Sequence, residues 1–320
     1  MKRYFAFIIA ALMFVISCGE NPTEQPDPAP KPTPENPTPE DPTPEDPTPE
    51  DPTPEDPAPS EQQEIKLNFT HIDENVFGNG DTIGIYVVNR TNSFDNPLLD
   101  SGNYVDNVCM TYYDGSWNSD SILYWYNDNT RADVYCYAPY IADIKSVKKC
   151  PISVKADQRE PANLRASDIL WGMASSWRPS FSSTVDIKMS HITSCLVVRI
   201  EPGNGFTYEE LKDVDVILSS CPADIDLSNG TITLHDEIND VIASKTGDGY
   251  MAYVMPRSFN NEDFVKVIVD GNTYVLKQTL TLVMGKVHYC TITLAKINQG
   301  VNIGISDWVV DPNDYGGVLE

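Results

Sequence analysis

Apolar and polar residues alternate through most of the chain after its first sixty residues, and no other feature constrains the fold as strongly. Successive side chains of a β-strand point to opposite faces, so strict alternation is typical of strands with one buried face. The alternating runs are residues 65–70, 185–190, 196–200, 290–294 and 301–305. Turns rich in Gly, Asn, Asp and Pro separate them, and helical periodicity is weak. The sequence therefore predicts an all-β fold of the β-sandwich class.

The alternating region is long enough for one large domain or two smaller ones. Its pattern breaks at residues 180–184, so we divide it there into an N-terminal sandwich, residues 61–183, and a C-terminal sandwich, residues 184–320. Within the second part, Asp270 and Gly271 separate two strand-like runs, which predicts a β-hairpin.

Residues 1–17 have the features of a secretory signal peptide. Two basic residues precede an apolar run, residues 4–16, that is shorter than the roughly 20 residues a transmembrane helix needs. The run ends in a sequence that resembles the lipobox of bacterial lipoproteins. This resemblance implies cleavage between Ser17 and Cys18 and a lipid on Cys18, which would attach the protein to the outer membrane. An ordinary signal peptide, with Cys18 as a free thiol, is the alternative.

Residues 18–60 form a proline-rich, acidic linker built on the repeat PTPED. Proline fixes φ and removes a backbone donor, so neither helix nor sheet is expected. Adjacent carboxylates repel, and we predict a disordered, extended spacer of about 3.1 Å per residue. The whole chain has a net charge of −25. Because such a chain repels phosphate backbones, no nucleic-acid partner is expected.

The order of the segments resembles the fimbrillins, the subunits of type V fimbriae on Gram-negative surfaces. The matching pieces, in order, are FGNGDTIGIYVV (77–88), LYWYNDNTRADVYCYAPY (123–140), SDILWG (167–172), IKMSHITSCLVVRI (187–200), LTLVMGKVHYCTITL (280–294) and VNIGISDW (301–308). The resemblance covers nearly all of residues 65–308. It implies two tandem transthyretin-like Greek-key β-sandwiches and a place on the cell surface or in fimbriae.

Members of this family polymerise by strand exchange, in which a protease removes the first strand and the terminal strand of the next subunit fills the groove. The resemblance implies the following residues: Ile65, Leu67 and Phe69 in the displaced first strand, and Val301, Ile303, Ile305 and Trp308 in the donor strand. Other fimbrial subunits would be the partners.

This chain departs from the family pattern at the cleavage site. Many members carry an Arg between the first strand and the Gly-Asp turn, whereas residues 71–89 contain neither Arg nor Lys. We therefore predict a non-enzymatic lipoprotein that serves as an anchor, tip or accessory subunit in fimbria assembly or adhesion. A surface protein that never polymerises remains the alternative to a subunit role.

An aromatic-rich zone between residues 117 and 140 suggests a second function. Aromatic faces stack on sugars, so Trp117 and Trp125 are candidates for binding a host or bacterial surface glycan. The same residue types also build sandwich cores, and in an alternating strand Trp125 faces away from Tyr124 and Tyr126.

No catalytic, metal or cofactor site is predicted. The four histidines form no HExxH motif or close pair, and His191 is interpreted as a partly buried core residue because no orienting acid is visible. The chain crosses an oxidising compartment, so a disulfide is open to it, with Cys109 and Cys136 in neighbouring strand-like runs as the first choice. Small apolar core residues are the alternative reading of these cysteines.

Overall fold

The computed structural model describes residues 62–71, 77–90, 96–182, 184–247, 249–297 and 300–305. The predicted signal peptide, Cys18, the linker and Trp308 lie outside these ranges. Within them the chain forms nineteen β-strands, one α-helix and one 3-10 turn. The prediction of an all-β sandwich fold is confirmed.

The first sheet has seven strands in the order β1-β8-β7-β5-β2-β3-β4. Its strands are β1 (Lys66–His71), β2 (Thr82–Asn89), β3 (Val105–Tyr113), β4 (Ser116–Asn118), β5 (Ala132–Ala138), β7 (Leu170–Trp177) and β8 (Thr184–His191). All neighbours are antiparallel except β1 and β8, which are parallel. Apolar residues from these strands form one core on the inner face of the sheet, and Ile85 and Ile187 are among its members.

Two small sheets and one of five strands complete the fold. A three-stranded sheet joins β6 (Cys150–Ile152), β11 (Ala223–Asp226) and β12 (Thr231–Leu234). A four-stranded sheet joins β10 (Asp215–Ser220), β13 (Asn239–Ile242), β16 (Ser258–Val269) and β17 (Asn272–Thr281). The last sheet has the order β14-β15-β9-β18-β19, with β9 (Ser194–Pro202), β14 (Ser244–Thr246), β15 (Gly249–Val254), β18 (Val287–Ile297) and β19 (Gly300–Ile305).

The four- and five-stranded sheets share a second core, which Phe264 and Leu294 help to fill. A third core lies between the outer face of β2 and β5 and the three-stranded sheet. Because β2 is buried on both faces, its central residues are apolar without alternation. The hairpin predicted at Asp270 and Gly271 is confirmed, since both residues have positive φ and join β16 to β17.

The single helix, α1 (Pro161–Ser167), positions residues next to β7. Pro161 lies at its first turn, where a missing backbone donor costs little. Asp168 is the C-cap residue of α1, and β7 begins two residues later, at Leu170. Among the described residues, no helix combines the length and the apolar character needed to cross a membrane.

The predicted division after residue 183 does not follow the sheets. β8 lies after the division but pairs with β1 and β7 in the first sheet. β6 lies before it but pairs with β11. The number of domains therefore stays a prediction, and a boundary placed after β8 would agree better with the strand pairing.

Candidate functional site

The predicted displaced strand forms β1, at one edge of the seven-stranded sheet. Ile65, Leu67 and Phe69 are buried at 6%, 8% and 3% exposure, so the predicted alternation is confirmed. On the opposite face, the Asn68 side-chain amide donates to Asp186 Oδ1 of β8 at 2.8 Å. A single parallel ladder with β8 thus carries this strand within the sheet.

The sheet curls until its two edges approach each other. The ring of Phe69 in β1 packs edge-on against Trp117 in β4, with centroids 5.1 Å apart. Just before β1, the Ile65 amide donates to the Leu123 carbonyl at 2.8 Å. The Trp125 amide donates to the Gln63 carbonyl at 2.9 Å. β1 therefore covers one side of the core.

The predicted donor strand forms β19, at the edge of the five-stranded sheet. It runs antiparallel to β18, and the register places Val301, Ile303 and Ile305 opposite Lys296, Leu294 and Ile292. In this structure the strand is thus paired with its own chain. Its role as a donor stays a prediction.

The basic residues on either side of the predicted cleavage region differ in accessibility. Lys66 lies within β1, and its exposed side chain is 4.0 Å from Glu64. Arg90, after β2, makes a buried ion pair in which its Nη2 lies 2.7 Å from Asp133 Oδ1. Asp133 also accepts the Ser176 amide at 2.6 Å. Arg90 is therefore bound into the sheet rather than presented to a protease.

The two tryptophans predicted to face a glycan are placed otherwise. Trp125 is 1% exposed and belongs to the first core, so its prediction as a glycan contact is wrong. Trp117 is half-buried against Phe69 and Phe77. Both tryptophans therefore pack in or against the first core, which was the alternative interpretation of the aromatic-rich zone.

Exposed aromatic rings lie nearby, in a group of three that we call the tyrosine patch: Tyr104, Tyr124 and Tyr126. Their exposures are 38%, 40% and 61%. The Tyr104 hydroxyl donates to the Tyr124 carbonyl at 2.7 Å, and the Tyr104 and Tyr126 rings meet edge-on at 6.0 Å. Tyr104 was missed from the sequence because it lies outside the aromatic-rich run.

The predicted Cys109–Cys136 disulfide is not formed, and the six cysteines that the structure describes are free thiols. β2 lies between the two residues, with Gly84 paired to Cys109 and Ile85 paired to Cys136. Cys109 and Cys136 therefore lie two strands apart on opposite faces of the sheet, which excludes a disulfide bond between them. Cys136 contacts the Gly172 carbonyl at 3.1 Å, and burial raises the pKa of its thiol.

Three residues that are distant in the sequence meet at one end of β1: His71, Asp168 and His191. We call this group the His-Asp cluster. Each offers a nitrogen or oxygen within 4.8 Å of the other two, and Asp168 Oδ1 lies 2.6 Å from His191 Nδ1. His191 is buried, as predicted, but Asp168 supplies the orienting acid that the sequence did not reveal.

A cavity of about 500 Å³ opens beside the His-Asp cluster. Phe77, Asp81, Arg165 and Tyr253 contribute to its lining together with His71 and Asp168. Arg165 Nε lies 3.8 Å from Asp81 Oδ1, so a cation and an anion balance each other on one wall. The His71 ring packs against the Phe77 ring, with centroids 4.2 Å apart and the ring planes tilted by 46°.

Comparisons with known proteins agree with this architecture. A family described as fimbrillin-like matches residues 70–308. A candidate cell adhesion protein from Bacteroides uniformis has a similar structure, with a TM-score of 0.58, 19% identity and coverage of 77% of this chain and 98% of its own. A second, from Bacteroides ovatus, has a TM-score of 0.52, 14% identity and coverage of 78% and 98%. At such identities the likeness shows the fold alone, and no curated protein matches the chain.

Proposed function

This chain belongs to the fimbrillin-like family, and from that membership we propose that it is a non-enzymatic, lipid-anchored subunit of a surface fimbria. It acts as an anchor, tip or accessory subunit and associates with other subunits by strand exchange. The first strand leaves, and the terminal strand of a neighbouring subunit takes its place.

The observation that carries this proposal is the placement of β1. A strand at a sheet edge can leave by breaking a single ladder, and within the sheet β1 pairs only with β8. The two backbone hydrogen bonds that residues 63 and 65 share with residues 123 and 125 would break with it. Its departure would uncover the sites of Leu67 and Phe69 as a row of apolar pockets. Such a groove, with the free edge of β8 beside it, is suited to an incoming strand with the same alternation.

The terminal strand has the matching pattern. Val301, Ile303 and Ile305 alternate as Ile65, Leu67 and Phe69 do. Because β19 is also an edge strand, it can leave β18 while β9 still holds the other side of β18. The two strands that an exchange would use, β1 and β19, thus both lie at sheet edges.

The missing basic residue after β1 gives a direct test. The full chain is treated with a trypsin-like protease and compared with a Glu74→Arg variant, which introduces the cleavage site that residues 71–89 lack. We expect N-terminal shortening and an oligomer ladder from Glu74→Arg, and neither from the wild type. Asp120→Arg, at an exposed position between β4 and β5, is the control and should give no ladder.

The outcomes separate the versions of the proposal. A ladder from the wild type would make the chain an ordinary polymer subunit. Absence of a ladder from both the wild type and Glu74→Arg would overturn strand exchange.

A disulfide that ties β1 to β8 provides a second control, because Asn68 and Asp186 are register partners on an exposed face. Asn68→Cys with Asp186→Cys in the Glu74→Arg background should block the ladder until reductant is added.

Surface anchoring is tested separately from exchange. We propose that Cys18 carries the lipid and that residues 19–60 hold the folded part away from the outer membrane. Metabolic labelling with a palmitate analogue should mark the wild type and leave Cys18→Ser unlabelled. Label on Cys18→Ser, or none on the wild type, would contradict the anchor.

The tyrosine patch supports one further candidate function, capture of a surface glycan. Its rings are exposed, and the hydrogen bond from Tyr104 orients one of them. On a glycan array, Tyr104→Ala with Tyr126→Ala should lose any signal that the wild type gives. Tyr113→Ala is the control, because Tyr113 is 67% exposed but lies outside the patch. No signal from the wild type would remove this candidate.

A further inference from the structure

We infer that the His-Asp cluster, His71, Asp168 and His191, is a binding site for one divalent transition-metal ion of the Zn²⁺ type. The inference concerns a metal site and does not require that the protein polymerise. The sequence predicted no metal here because the three residues share no local spacing.

The topology explains how the three side chains meet. β1 and β8 run parallel, with His71 opposite Met189, so the ends of both strands lie at the same side of the sheet. β7 begins opposite that end, since Leu170 pairs with His191. Asp168 lies between α1 and β7 and is therefore delivered to the same point. Each donor comes from a different element of a fixed scaffold.

The donor set selects the class of ion. Two imidazoles and one carboxylate suit Zn²⁺ and its neighbours, whereas Ca²⁺ and Mg²⁺ prefer sites made of oxygen alone. The separation of at most 4.8 Å among the donor atoms is compatible with one shared ion. Asp168 serves such a site either as a ligand or by orienting His191, since carboxylates commonly hold metal-binding imidazoles through the second ring nitrogen.

The surroundings also favour a bound cation. His191 is 8% exposed, so the site lies below the surface, yet the adjoining cavity gives an ion and its remaining water ligands access. Among the residues that the structure describes, the charged side chains that line the cavity are Asp81, Asp168 and Arg165, two acids and one base. Acidic side chains thus outnumber basic ones on the described part of the lining, beside the two imidazoles.

Among the described residues, a second histidine–aspartate pair, His235 and Asp224, lacks the burial and the third ligand-type residue of the His-Asp cluster. His235 Nε2 lies 3.3 Å from Asp224 Oδ2, but the His235 side chain is 44% exposed. It is not among the groups of three ligand-type residues found in the described part of the chain. His235 therefore provides a matched control for weak binding by a surface imidazole.

A metal ion bound by the His-Asp cluster would attach the end of β1 to the rest of the fold. Two of the three residues belong to the core scaffold, and the third is the last residue of β1. An ion held by all three would bind the closed form better than a form in which β1 has left, and so would favour closure. If strand exchange takes place as proposed above, the metal would retard the release of β1.

The test measures zinc binding by the full chain after removal of metals with a chelator. Calorimetry should show one equivalent of Zn²⁺ bound, and Co²⁺ should give visible absorption bands typical of nitrogen and oxygen ligation. We expect His71→Ala to abolish this binding and Asp168→Asn to weaken it about 10–100-fold. His235→Ala should bind as the wild type does.

Two results would overturn the site: no stoichiometric binding by the wild type, or equal binding by His71→Ala. The acidic linker is the same in every variant, so any cation it takes up cancels and the difference between the variants is the readout. Because His71 is only half-buried, His71→Ala is expected to fold, and circular dichroism checks this. Binding is measured without protease or oligomers, so its failure leaves strand exchange untouched, and failure of exchange leaves the metal site untouched.

Discussion

In the described part of the chain, β1 pairs in parallel with β8 and β18 pairs in parallel with β9, and the positions of β1 and β18 differ in one respect. β1 lies at a sheet edge and is paired with β8, whereas β18 lies between β9 and β19. Both place large apolar residues in a core, Phe69 in the first case and Leu294 in the second. The difference shows that a strand can bury large side chains and still be free to leave its sheet, because the number of neighbouring strands is a separate property.

This separation has a physical basis. Removing β1 breaks its ladder with β8 and the two backbone hydrogen bonds just before it, and opens one groove. Removing β18 divides a sheet in its middle. The cost of opening at an edge can be recovered by an incoming strand, because every lost backbone hydrogen bond is made again with the new partner. An interior strand has two ladders to restore.

The largest expected effect is on the side of β1. Phe69→Ala should lower the free energy of unfolding by about 3–5 kcal/mol, because it leaves a cavity beside Trp117. Urea denaturation measures the change. Phe181→Ala is the control, since Phe181 is 74% exposed, and should have an effect within about 0.5 kcal/mol. Equal effects of the two substitutions would mean that β1 covers no real core.

Leu294→Ala in β18 should cost about 2–5 kcal/mol, since Leu294 is fully buried. The contrast with Phe69→Ala lies in the pattern of hydrogen exchange. Phe69→Ala should accelerate exchange of the β1 amides beyond that of the other strands, because β1 can open by itself. Leu294→Ala should accelerate exchange throughout the second core. The same pattern from both variants would remove the distinction between edge and interior.

Gly249→Ala tests how closely β15 and β9 approach within the sheet that holds β18. Gly249 has a φ of 136°, and an added Cβ would clash with the Val198 carbonyl. We expect a loss of about 1–3 kcal/mol in the free energy of unfolding. Gly247→Ala, where an added Cβ meets nothing within 4 Å, is the control. A neutral Gly249→Ala would show a looser sheet than the one described.

The smallest effect concerns reactivity rather than stability. Burial raises the pKa of Cys290, in β18, to about 12, so its thiol stays protonated at neutral pH, and the thiolate is the form that alkylating reagents attack. Cys109, in β3, is half-buried. Mass spectrometry should find Cys109 alkylated before Cys290. The reverse order would indicate that the sheet around β18 opens readily.

The local features of the fold were predictable from the sequence. β1 and the hairpin at Gly271 follow from alternation and turn chemistry that act within a few residues. Alternation also placed Trp125 opposite Tyr124 and Tyr126, but it could not say which face is the core. That depends on the curl of the sheet, which brings residues 123–125 onto the chain before β1.

The non-local features were not predictable in this way. The His-Asp cluster exists only because β1 and β8 are parallel and in one particular register. The error over Cys109 and Cys136 has the same origin, since neighbouring runs in the sequence became strands separated by β2. Period and composition identify strands, whereas strand order is set by packing across the whole chain.

The curl of the seven-stranded sheet places a fluorescent side chain, Trp117, where its environment depends on the presence of β1. Trp117 lies against Phe69 across the seam between the two edges, and Phe77 covers it from another side. Departure of β1 removes one wall of that aromatic enclosure and admits water to the indole. The contribution of Trp117, one of five tryptophans, to the emission should then shift to longer wavelength when β1 leaves.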